Sequence, residues 1–334
     1  MTDTIKINAL PNLHTISGKN LHESSDEKYK EYRKKWSEWP ENFYHGNFPL
    51  FLDIEVTNNC NYKCKFCATT YFDSSIKKGF IDYDTVKKII DEGIKEGLYG
   101  VKFNDRGEPL LHKEIVKFVK YAKVSGLIDV YFNTNAILLK EETAEALIEA
   151  GVDRISISIE GYNKDVYEKF RVGGDFERVF SNIKKLKELK KRKCSEKPKI
   201  RIQTVLLNEL SKDLNNYANF WSPFADEICY IDYKEESDSS LRMKDLEYPW
   251  ACHQLWQRMI IWWDGTILPC NEDDRGQLAL GNIRDRSIKS AWDSIYHGIL
   301  REKHIAGKSH EIPVCNTCYL RDSEIKELIE GCKK

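Results

Sequence analysis

No apolar run in the 334-residue sequence approaches the roughly 18 residues that a membrane-spanning helix requires. Nor is there an excess of charge of one sign: Lys+Arg number 52 against 53 Asp+Glu, a net charge of −1. That balance argues against a basic footprint for nucleic acid or a patch for a membrane surface. The opening residues, MTDTIKINALPNLHT, lack the apolar core of a secretory signal, so the expected location is the cytoplasm. No low-complexity segment interrupts the chain. Cysteine is the exception to this plainness. There are ten, and in a reducing compartment clustered cysteines point to metal or catalysis rather than disulfides.

The pattern along the chain predicts four parts. Residues 1–48 form an N-terminal arm, with a helix over 27–39 carrying Tyr29, Tyr32, Trp36 and Trp39 on one face at helical spacing. Residues 49–235 alternate strand and helix, with strands expected at 51–57, 100–104, 129–135, 154–160, 199–205 and 227–233. Residues 236–325, where the alternation stops and cysteines return, form a smaller module. Residues 326–334 are a tail. Strand–helix alternation gives a parallel sheet with helices outside. One strand face is apolar (Leu52, Ile54, Val101, Ile155, Ile157, Ile200, Ile202). The other is polar (Asp53, Glu55, Lys102, Asn104, Ser156, Ser158, Arg201, Gln203). A parallel sheet buried on both faces reads as continuous aliphatic residues. A six-stranded partial TIM-like barrel, α/β in class, curled around a polar ligand with its chemistry at the C-terminal strand ends, fits this alternation.

Directly after the first strand comes Cys60-x3-Cys64-x2-Cys67. Three thiolates in eight residues can bind a soft metal or an iron–sulfur cluster. A closed structural zinc site wants four ligands, and no fourth Cys or His lies nearby in sequence. Three ligands on a four-iron cube leave one iron open for a small molecule. With this spacing, and Phe66 before the third cysteine, the sequence resembles the radical S-adenosylmethionine (SAM) superfamily. The resemblance implies that the open iron chelates S-adenosyl-L-methionine, which one electron from a 4Fe–4S cluster cleaves to a 5′-deoxyadenosyl radical. Arg106-Gly107-Glu108-Pro109 resembles the family's G-G-E-P segment, with Arg106 in place of the first glycine; Gly107 and Glu108 would hold the methionine amine. Ser158-Ile159-Glu160-Gly161 with Arg171 resembles S-x-D-G…R, so Ser158 and Arg171 would contact the methionine carboxylate or ribose; Glu160 departs from the usual Asp and takes no role. Asn133-Thr134-Asn135 resembles the N-T-N segment, placing Asn133 and Asn135 near the cofactor.

Downstream, Cys252, Cys270, Cys315 and Cys318 could complete a second 4Fe–4S cluster or a four-cysteine zinc site. The run from Asp264-Gly265 to Pro269-Cys270, and Pro313 to Cys318, resemble the SPASM/twitch auxiliary modules of radical enzymes. The module is shortened, lacking the further cysteines of a full SPASM domain, as in the twitch modules of radical aminocyclitol dehydrogenases. One auxiliary cluster with every iron held by protein is therefore expected, two clusters in all. Such a cluster suits an electron acceptor in dehydrogenation of a sugar, aminocyclitol or polyol, with flavodoxin or ferredoxin as reductant. Epimerisation by a thiol hydrogen donor, a peptide-maturing activity and a non-enzymatic zinc or iron–sulfur scaffold are the alternatives. Alternation along the sixth strand places Tyr230, Asp232 and Lys234 on the interior side as candidates for binding substrate or taking its proton, and turns Cys229 outward.

Overall fold

The computed structural model describes residues 5–7, 13–19, 21, 26–72, 75–232 and 247–331. Its strands are β1 (Lys6–Ile7), β2 (Leu13–Gly18), β3 (Phe51–Ile54), β4 (Gly100–Lys102), β5 (Asp129–Thr134), β6 (Arg154–Ser158), β7 (Lys199–Leu206), β8 (Glu227–Asp232), β9 (Trp250–Ala251), β10 (Arg258–Ile261), β11 (Thr266–Leu268) and β12 (Gly281–Asn282). Strands β3 to β8 lie side by side in sequence order, all parallel. They are the six strands expected from the alternation, and the sheet they form is open.

Two additions were not legible in the pattern. Strand β2 from the arm pairs antiparallel with β8, and β10 from the downstream module pairs parallel with β3. The sheet thus runs β12-β11-β10-β3-β4-β5-β6-β7-β8-β2. Neither addition has a local signature, because both pairings are made across long sequence separations.

The two faces divide as the alternation requires. Leu52, Ile54, Val101, Phe132, Ile155, Ile157, Ile200 and Ile202 are completely buried on the helix-covered side; full burial of each such side chain stabilises by roughly 1.5–3 kcal/mol. The inner side is polar and its charges are paired. Asp53 meets Lys102 at 3.1 Å and Arg258 at 3.2 Å, and Arg201 meets Glu227 at 2.5 Å. A buried charge without a partner is costly, so these residues can sit inward only as pairs.

The arm's helix, Glu27–Glu41, starts where Asp26 caps the backbone N–H of Tyr29. Its aromatic face covers the N-terminal end of the barrel: Tyr32 stacks on Tyr99, and Trp36 packs edge-on against Phe51 under the Arg258 guanidinium.

The last barrel strand corrects the expected phase. In the β7–β8 register Arg201 faces Glu227, Gln203 faces Cys229 and Val205 faces Ile231. Partners in a parallel ladder share a face, and the Arg201–Glu227 pair fixes that face as the interior. Cys229 therefore points inward, and Tyr230 lies on the other side, beside Thr204 and His14. Because the side-chain period is two, a one-residue error in phase reverses every assignment on the strand.

Candidate active site

At the C-terminal strand ends lies a cavity of about 850 Å³, within the size range of small-molecule and cofactor sites. Cys60, Cys64 and Cys67 all line it. Their loop is held on both sides. Lys63 N–H and Lys65 N–H donate to the carbonyls of Val172 and Phe170, and Glu108 N–H donates to Asn59. Gly107 packs so tightly that a Cβ there would lie 2.1 Å from the Thr57 carbonyl oxygen. Only glycine allows the Arg106–Pro109 turn to lie against the cysteine loop.

Phe66, Gly107, Glu108, Asn133, Asn135, Ser158 and Arg171, scattered over the sequence, line the same cavity. Glu108 accepts hydrogen bonds from Thr134 Oγ1 (2.7 Å), Leu110 N–H (3.0 Å) and Asn135 N–H (2.8 Å). Burial nonetheless pushes its acidity toward the protonated form, while those three donors pull the other way. Asn135 donates to Asn61, three residues from Cys64, at 2.9 Å. Arg171 also has a partner that the sequence did not assign. Its guanidinium forks Glu160, and its Nη1 faces Cys64 Sγ at 3.7 Å, with the Phe66 ring 5.2 Å away. Glu160, left without a role in the sequence, is the counter-ion that orients it. Burial raises the Cys64 thiol to about 11, opposed by Arg171. Ligation by a metal removes that proton.

The proposed substrate residues separate. Asp232 reaches the cavity wall and pairs with His14 Nε2 at 3.2 Å. Tyr230 is not among the lining residues; its ring stacks on His14 at 4.6 Å. Lys234 lies outside the described residues. Cys229, although inward, is completely buried and does not line the cavity.

The far wall contains residues that sequence reasoning missed. Asn271, Glu272 and Asp274, immediately after Cys270, line the same cavity as Cys60, Cys64 and Cys67. Arg106 joins the two regions. It forks Glu55 (2.6 and 2.8 Å), donates to the Asp274 carbonyl (3.1 Å) and lies 3.4 Å over the Trp262 ring. Trp262 Nε1–H donates to Asp105 at 3.0 Å. Burial first, and Glu55 next, raise the Asp105 carboxyl to about 7. The available signal was Glu55 itself: a carboxylate on the inner face near a strand end demands a cation, and Arg106 stands where the family pattern has glycine.

The second cysteine set gathers as well. Cys252 is close enough to Cys318 and Cys315, and Cys270 to Cys252 and Cys318, that each holds its neighbours toward the protonated thiol, after burial as the main cause. Backbone N–H of Glu272 points at Cys270 Sγ (3.2 Å), and His304 Nε2 lies 3.5 Å from Cys315 Sγ. Four clustered sulfurs, with N–H groups directed at those of Cys270 and Cys315, form a donor set suited to thiolates around an iron–sulfur cluster. Three sulfurs on an open cavity wall suit a cluster with one exposed iron.

An open parallel barrel with a three-cysteine loop at its mouth and a four-cysteine module on its flank is the arrangement of an iron–sulfur protein with a ligand-sized cavity at the strand ends. The chain carries a Radical SAM superfamily domain over residues 54–213 and a SPASM iron–sulfur cluster-binding domain over residues 252–319, which place it in the radical SAM superfamily. The first domain binds S-adenosylmethionine and a 4Fe–4S cluster, and the second binds further iron–sulfur. Among curated proteins, it is 28% identical over 206 residues to a GTP 3′,8-cyclase of Clostridium botulinum, a match covering 60% of this chain and 61% of the cyclase. It is 24% identical over 324 residues to the tungsten-containing aldehyde ferredoxin oxidoreductase cofactor-modifying protein of Pyrococcus furiosus, covering 82% and 88%. The fold matches BtrN, a 2-deoxy-scyllo-inosamine dehydrogenase, in complex with AdoMet and 2-DOIA (TM-score 0.56, 16% identity, 82% of this chain and 94% of that one). It also matches Streptococcus suis SuiB bound to the precursor peptide SuiA (TM-score 0.63, 17% identity, 93% and 81%). No helix among the described residues is long and apolar enough to cross a membrane.

Proposed function

We propose that the protein oxidises a small polar substrate, a sugar, aminocyclitol or polyol, by removing two hydrogens, with the second cysteine set holding one auxiliary 4Fe–4S cluster. The observation that carries this reading is the shared cavity: its wall is built from the three-cysteine loop on one side and from the residues following Cys270 on the other. When bound, the cofactors supply a 5′-deoxyadenosyl radical to take a hydrogen atom and a second cluster to accept an electron. The chain's own residues do the rest. Gly107, Glu108, Asn135 and Ser158 form the cofactor wall. Lys102, Asn104 and Gln203 offer hydrogen bonds to hydroxyls. Asp105 and Asp232, among the carboxylates on the wall, are placed to take the proton the substrate releases. Flavodoxin or ferredoxin is the expected source of the priming electron.

Product mass tests the proposal. Oxidation gives a product lighter by two hydrogens with one S-adenosylmethionine consumed per turnover. An unchanged mass, with one deuterium gained in heavy water, would replace it with epimerisation. The electron-acceptor role of the auxiliary centre is tested separately by Cys315→Ala with Cys318→Ala, which should leave 5′-deoxyadenosine formation intact while product falls sharply. The precursor-peptide complex of SuiB makes a peptide the second substrate class to assay.

A further inference from the structure

Behind the auxiliary cysteines, His304 is 1% exposed on the helix Ile295–Ile305. Its Nδ1 accepts the backbone N–H of Cys252 at 3.2 Å, and its Nε2 faces Cys315 Sγ at 3.5 Å. An imidazole nitrogen that accepts a backbone N–H carries no proton of its own, so in the neutral ring the single N–H is on the other nitrogen. That nitrogen is the one facing Cys315.

We propose that His304 is a positioning residue of the auxiliary centre: it donates Nε2–H to the Cys315 thiolate and thereby raises the reduction potential of the cluster held there. The inference rests on the reading of Cys252, Cys270, Cys315 and Cys318 as ligands of one cluster. A hydrogen bond to a cluster sulfur favours the more negatively charged, reduced state, so it makes the cluster a better electron acceptor. Other features at the site act in the same direction. Glu272 N–H is directed at Cys270 Sγ (3.2 Å), and the completely buried Arg321 guanidinium is close enough to Cys315 to favour negative charge on its sulfur. Two carboxylates oppose them, Asp273 near Cys315 and Glu324 near Cys252. Both accept protein hydrogen bonds that partly neutralise them, Asp273 from Gln277 and Leu278 N–H and Glu324 from Trp250 Nε1–H. His304 differs from all of these because it joins two ligand-bearing segments through one rigid ring.

The test uses the full chain with Cys60, Cys64 and Cys67 changed to Ala, so that any iron–sulfur signal comes from the auxiliary centre. In an EPR-monitored redox titration, His304→Leu should shift the midpoint to a more negative potential, and His304→Gln, which keeps an N–H near the sulfur, should stay closer to the parent. Heavy-nitrogen-labelled histidine should give a weak hyperfine coupling to the reduced cluster in the parent, lost in His304→Gln. An unchanged potential in an iron-replete His304→Leu protein overturns the proposal. If that variant fails to hold iron, absence of a histidine coupling in the parent overturns it instead. A parent that holds no iron–sulfur cluster at all would sink the cluster reading itself, a result distinguishable from the other two.

Discussion

Arg106 lies 3.4 Å over the ring of Trp262, so the turn that follows β4 is clamped to the strand end that leads toward Cys270. The same guanidinium forks Glu55, whose side chain is completely buried. The clamp ties the cavity wall beside the three-cysteine loop to the wall that follows Cys270.

Removing the cation should therefore be expensive. Arg106→Ala leaves the Glu55 carboxylate buried without its partner, and breaking such a pair costs about 3–5 kcal/mol. Thermal unfolding should show a clear loss for Arg106→Ala and partial recovery in Arg106→Ala with Glu55→Gln. Equal melting of the two variants would mean that Glu55 does not depend on Arg106.

Changing Cys60, Cys64 and Cys67 together to Ala should abolish S-adenosylmethionine cleavage under dithionite while about four iron atoms remain at the second site. Continued formation of 5′-deoxyadenosine would remove the three-cysteine loop from the chemistry.

Glu108→Gln replaces an acceptor of three hydrogen bonds with an amide whose nitrogen end must face donors. It also removes a carboxylate from the cofactor wall. Affinity for S-adenosylmethionine should weaken by at least tenfold, a loss of about 1.4 kcal/mol or more, measurable by calorimetry. Unchanged affinity would leave Glu108 as a turn-forming residue only.

Asp105 sets a pH dependence. Its carboxyl is raised to about 7 in the folded chain, chiefly by burial, against about 3.9 when unfolded. Between about pH 4 and 7 the folded state keeps a proton that the unfolded state has released, so stability falls as pH rises through that window and levels off above it. The slope is at most about 1.4 kcal/mol per pH unit. Asp105→Asn should flatten the melting temperature profile between pH 5 and 7, and an unchanged profile would show that Asp105 ionises normally.

The fold class and the cofactors were legible from the chain because metal-ligand spacing and strand alternation are local properties. Cys60, Cys64 and Cys67 lie within eight residues, and a period of two assigns Asp53, Lys102 and Arg201 to one face without any knowledge of packing. Six parallel strands and a polar interior followed from that. What tertiary structure decided was every relation between segments distant in sequence. The register of β8 against β7 turned Cys229 inward and Tyr230 away, because a ladder is fixed by the partner strand and a lone strand end gives no phase. The fork of Arg171 went to Glu160, since a buried carboxylate and a buried cation lower each other's desolvation cost only when folding brings them together. The meeting of Arg106, Glu55 and Trp262, and of His304 with Cys252 and Cys315, likewise exists only once β10 joins the barrel edge and the downstream helices close over the second cysteine set. Sequence named the candidate ligands; packing chose their neighbours, because a side chain's partner is whichever group the fold places within a few ångströms of it.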